Sequence, residues 1–122
     1  MNPKMRVSNM ERVKIYLELS IERNNEVDEW QKGLMTSKKI EIERKKSNYA
    51  LRAYQQKFEQ LKLRIDNQED VHEGIDEEIN ILMLLAEALS KKILEVLIKH
   101  KDMWKNLFDF MKPVNQDEVK IE

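Results

Sequence analysis

The chain has 122 residues, a length that suits one domain. Its 22 Lys and Arg stand against 23 Asp and Glu, a net charge of −1, so a globally basic nucleic-acid binder is not indicated. There is no cysteine, which excludes disulfides, thiolate catalysis and Cys-ligated zinc, and two Gly with two Pro are too few for the turns of an all-β fold.

The first element is predicted to start at Ser8-Asn9-Met10-Glu11. Ser followed three residues later by Glu is a capping box, in which each side chain satisfies a backbone N–H at the other residue. This places a helix over about 9–33, with apolar positions at Met10, Val13, Leu17, Ile21 and Val27 and with Trp30 and Leu34 near its end. Gly33 is a candidate break, because Gly costs a helix interior about 1 kcal/mol against Ala. If Gly33 does not break the chain, the first two segments form one continuous rod. Trp30-Gln31-Lys32-Gly33 is spaced Trp-X-X-Gly, unlike the Trp-X-Gly turn of small secreted helical hairpins, so no family resemblance follows.

The second helix is predicted over about 36–67, with Thr36 or Ser37 as N-cap. Its stripe is Ile40, Arg44, Ser47, Leu51, Tyr54, Phe58, Leu61 and Ile65, alternating steps of four and three as in a heptad seam. The polar stretch from Asp66 to Gly74 is read as a turn.

The third helix is predicted over about 76–112, with Asp76 as N-cap and Pro113 enforcing the stop. Ile75, Ile79, Leu82, Ala86, Leu89, Ile93, Val96, His100, Met103, Leu107 and Phe110 keep the heptad rhythm without a slip. Ile81, Leu85, Leu94, Leu97, Ile98, Trp104, Phe108 and Met111 widen the apolar arc well beyond a two-helix seam. An arc that wide requires burial against more than one neighbour. Residues 113–122 read as a flexible tail.

The fold class is therefore all-α: long antiparallel helices in a single helical domain. They form either a three-helix bundle, which the wide arc favours, or a coiled-coil-like helical hairpin.

Charge is placed unevenly. Residues 35–65 hold nine basic residues against Glu41, Glu43 and Glu59, whereas residues 66–80 hold seven acids and no base. Lys38, Lys39, Arg44, Lys45 and Lys46 are the candidate polyanion-binding residues of the basic stretch.

Catalytic and metal chemistry leave little trace. Glu69 and His72 have the Glu-X-X-His spacing of carboxylate-bridged metal bundles, but only one such pair exists and it sits in a polar turn. His100 lies on the seam with no nucleophile beside it. No phosphate-cradling loop and no His-Glu-X-X-His occurs. No enzyme activity, cofactor or metal is expected.

The expected function is a non-enzymatic subunit that binds a protein partner, or its own copies as an oligomer, by helix burial. Leu89, Ile93, Val96, Leu97, His100, Trp104, Leu107 and Phe108 are the candidate partner-binding residues, because aromatic clusters dominate interface energy. One alternative is a secretion chaperone or adaptor for another helical protein. The other is a nucleic-acid-associated protein using the basic second helix. The longest strictly apolar run, Ile81 to Ala86, falls far short of the roughly 20 residues of a spanning helix, so a soluble chain is expected. No secretory h-region follows Met1, which favours an intracellular location.

Overall fold

The computed structural model describes residues 3–31, 38–67 and 73–111. They form three helices: α1 (Pro3–Gln31), α2 (Lys38–Asp66) and α3 (Glu73–Met111). All three pack on one another, and α1 with α3 forms the most extensive of the three interfaces. The architecture is an all-α three-helix bundle.

Side-chain pairing gives the direction of each helix. Arg6 meets Asp76, Arg23 meets Ser90 and Glu26 meets Lys101, so α1 and α3 run parallel. Asn24 meets Asn48 and Asp28 meets Arg44, so α2 runs antiparallel to α1. Lys57 and Arg64, near the end of α2, both reach Glu78, near the start of α3. The course is up, down, up.

Heptad periodicity explains the core. Ile75, Ile79, Leu82, Ala86, Leu89, Ile93 and Val96 of α3 are all buried, as are Ile40, Leu51 and Leu61 of α2. Each fully buried Ile or Leu contributes about 1.5–3 kcal/mol. The core falls into two clusters. The larger joins Val13 and Leu17 to Leu51, Leu61 and the α3 stripe up to Ile93. The smaller joins Val27, Ile40, Val96 and Leu97, with Met103 against it.

A polar layer lies where the two clusters meet. Ser20, Asn24, Ser47 and Ser90 are buried. Asn24 Nδ2 donates to Asn48 Oδ1 at 2.6 Å, and Arg23 Nη1 donates to the Ser90 carbonyl at 2.7 Å. Ser20 Oγ donates to the Tyr16 carbonyl and Ser90 Oγ to the Glu87 carbonyl. The layer gives up apolar burial and in exchange fixes register, since sliding a helix would break the Asn24–Asn48 and Arg23–Ser90 bonds that cross between helices.

Three expectations need correction. First, α1 begins at Pro3, and Ser8 sits exposed inside the helix instead of capping it. Pro suits the first helical position, because its missing N–H would have no intrahelical partner there and its φ is already helical. Second, Ile21 is exposed, and the inward stripe of α1 passes through Ser20 and Asn24. Met10, Val13, Leu17, Ser20, Asn24 and Val27 keep the three-four spacing, and spacing outweighs apolarity. Third, α3 begins at Glu73, so Asp76 is not its N-cap. The Asp76 carboxylate is buried and takes a bidentate contact from Arg6, Nε–Oδ1 2.7 Å and Nη2–Oδ2 3.0 Å. The hydrogen bond to Asp76, with its charge behind it, raises the Arg6 guanidinium pKa against the opposing effect of burial. Gly33, the caps Thr36 and Ser37, the Glu69–His72 pair and the tail from Pro113 lie outside the described residues.

The Arg6–Asp76 pair ties the first turns of α1 and α3 together. Arg6→Met removes the bidentate guanidinium contact from a buried carboxylate and should cost roughly 3 kcal/mol in urea unfolding. The double change Arg6→Met with Asp76→Leu should recover part of that loss, because the buried carboxylate is then replaced by an apolar side chain.

Candidate interaction surface

At 3.6 residues per turn, α3 presents one face inward to α1 and α2 and the opposite face outward. The inward stripe takes Leu89, Ile93, Val96, Leu97 and His100, all of them buried among the helices of the chain itself. Trp104 is half-buried, and its indole N–H donates to His100 Nε2 at 3.2 Å. That bond puts the proton of a neutral imidazole on Nδ1, which has no acceptor among the described residues. Leu107 and Phe108 belong to α3, but their side chains lie outside the described residues.

The outward face of α3 stays apolar in its middle. Ile81 is 57%, Leu84 55% and Leu85 42% exposed, and Ala88 beside them is exposed too. Successive residues turn by about 100°, so Ile81, Leu84, Leu85 and Ala88 share a single arc of roughly 100°. Glu77 bounds this arc at one end and Lys92 at the other, both exposed. Elsewhere the large apolar groups at the surface are interspersed with charge. On α1, Glu11 lies between Val7 and Ile15, and on α2, Lys45 and Lys46 lie between Ile42 and Tyr49. Only contiguous apolar patches carry meaning, and the α3 patch is contiguous.

The patch continues sideways into the groove between α3 and α2. Two adjoining hollows of about 190 and 260 Å³ share Tyr54 and Leu85 as walls. Lys46, Lys57, Glu78 and Lys92 stand at their margins. Ser47, with a buried Oγ that has no partner among the described residues, lines the first. Glu78 accepts from Lys57 at 2.8 Å and from Arg64 at 2.9 Å. The Lys57 hydrogen bond, then that of Arg64 together with both charges, holds the Glu78 carboxyl below its ordinary pKa although burial acts the other way.

The candidate basic residues of α2 divide between solvent and the bundle. Lys38, Lys39, Lys45 and Lys46 are exposed, with Lys45 3.8 Å from Glu41 one turn earlier. Arg44 is half-buried and pairs with Asp28 on α1. The structure thus brings Lys38, Lys39, Lys45 and Lys46 to one end of α2 and takes Arg44 into a contact between helices.

Among the described residues no group of three or more His, Asp or Glu could hold a metal ion, and no helix is long and apolar enough to cross a membrane. Compared with protein families, curated proteins and solved structures, the chain matches none.

Sequence reasoning named Ile81 and Leu85 as surplus apolar residues but did not single out Leu84 and Ala88. Subtracting the unbroken heptad stripe from α3 leaves these four together with Met83, Leu94, Leu97, Ile98, Trp104, Phe108 and Met111, and burial is what separates the outward set from buried Leu97 and half-buried Met83, Leu94 and Trp104.

Glu78 provides a pH test of the α2–α3 contact. A carboxyl with a depressed folded-state pKa adds stability that is present above its unfolded value of about 4.5 and is lost as pH falls through the lower folded value. Glu78→Gln should therefore be less stable than wild type at neutral pH. The difference should shrink on moving to about pH 3, read by urea unfolding at both pH values.

Proposed function

We propose that the chain is a non-enzymatic interaction subunit whose binding surface is the outward face of α3 around Ile81, Leu84, Leu85 and Ala88. One observation carries this reading: four neighbouring apolar residues of the longest helix face solvent while its heptad stripe from Ile75 to His100 is already buried. Burying a large aliphatic side chain is worth about 1.5–3 kcal/mol, so a partner helix laid along this arc gains from each of them. Glu77 and Lys92, of opposite sign at the two ends, would set the direction in which that helix lies. The residues Leu89, Ile93, Val96, Leu97 and His100 would then act through the scaffold that holds α3 in place, and the contact itself falls to the outward set.

Site-specific photo-crosslinking in the producing cell tests the reading. A photoreactive residue at Leu84 or Leu85 should give a defined adduct with a protein chain. The same residue at Arg52, on the exposed surface of α2, should not. Ile81→Lys should abolish the adduct while helicity by circular dichroism is kept. Equal labelling from all three positions, or none from Leu84 and Leu85, would refute it.

A further inference from the structure

The outward face of α3 is complementary to itself about its own centre. About a centre between Leu84 and Leu85, Ile81 mirrors Ala88 and Glu77 mirrors Lys92. These six residues fall within the same arc of about 100° and span about four helical turns. A two-fold axis through that centre lays α3 of one copy antiparallel on α3 of another. Leu84 then meets Leu85, Ile81 meets Ala88, and Glu77 meets Lys92 at both ends. Self-complementarity of this kind is what an isologous two-fold interface requires.

Charge along the helix points the same way. Asp76, Glu77 and Glu78 stand near the start of α3, whereas from Lys91 onward the five bases Lys91, Lys92, Lys99, Lys101 and Lys105 outnumber the three acids Glu95, Asp102 and Asp109. Antiparallel pairing sets acid on base, whereas parallel pairing sets Glu77 on Glu77 and Lys92 on Lys92. Asp76, Glu78, Lys91 and Lys101 are engaged within the chain, by Arg6, by Lys57 and Arg64, by Glu87 and by Glu26 respectively. Among the described residues Glu77 and Lys92 make no ion pair, so both remain available.

We propose that the partner at this surface is a second copy of the chain, docked antiparallel through α3 about an axis between Leu84 and Leu85. This rests on the reading of the α3 face as a binding surface and names its occupant. The contact is short, one helix on one helix, which places it among weak, reversible interfaces.

Charge reversal tests it on the intact chain by sedimentation equilibrium over a concentration series. Wild type should show a monomer–dimer equilibrium. Glu77→Lys alone places Lys against Lys twice, and Lys92→Glu alone places Glu against Glu twice. Each should weaken self-association by at least about tenfold, with helicity unchanged because both positions are exposed. Mixing the two variants sets a base on an acid at both ends again, because the first then carries lysine at both positions and the second glutamate at both. The mixture should therefore form a heterodimer, whereas neither variant pairs with itself. A wild type that stays monomeric, single variants that dimerise as wild type does, or a mixture that stays monomeric would each overturn the proposal. A monomeric wild type that still crosslinks from Leu84 to a different protein would overturn self-pairing and leave the interaction surface standing. Absence of both would remove the two together.

Discussion

The apolar arc of α3 is wider than two neighbouring helices can cover. A heptad stripe fits the groove between two partners, and here α1 and α2 fill that groove from Ile75 to Met103. Anything apolar on the far side is left in water by geometry alone. The structure depends on this surplus. It dictates that α1 folds back beside α3 instead of prolonging α2. It also leaves Ile81, Leu84, Leu85 and Ala88 exposed, uncovered by α1 and α2.

Holding that face in one place requires a fixed register, and polar groups supply it. Arg6 and Asp76 lock the entry of α1 to the entry of α3. The Asn24–Asn48 and Arg23–Ser90 bonds pin the middle of the bundle. Apolar side chains alone would tolerate a slide by one heptad, whereas a buried asparagine or carboxylate would lose its partner. Lys57, Arg64 and Glu78 close the third interface, between the second half of α2 and the start of α3. Each pair of helices thus carries at least one directional contact in addition to its shared apolar core.

Periodicity made most of the bundle legible in advance. The α3 stripe could be read residue by residue, because nearly every heptad position is aliphatic, and α2 was readable from Leu51 onward for the same reason. The inward face of α1 was harder. Ser20 and Asn24 occupy core positions but look like surface residues, and nearby Ile21 looks like core but is exposed. Helix starts were misplaced where a tertiary contact outweighed local capping chemistry. Asp76 is a competent N-cap by type, yet Arg6, 70 positions away, draws it into the bundle. The outward face of α3 was hidden by its own abundance, since a list of apolar residues does not say which half of the helix they cover. The proposed pairing became visible only once burial had divided that list in two.

Spin-label distances on α3 address the proposed arrangement most directly. The chain contains no cysteine, so Lys99→Cys gives a single labelling site on an exposed residue. Antiparallel pairing about the axis between Leu84 and Leu85 separates the two labels by roughly 40–50 Å, at 1.5 Å of rise per residue in each copy. Parallel pairing would bring them within about 20 Å, the spacing of packed helices plus the label arms. An intermolecular distance near 45 Å that disappears in Glu77→Lys is the predicted result. A short distance, or no dipolar coupling between copies at any concentration, would contradict it.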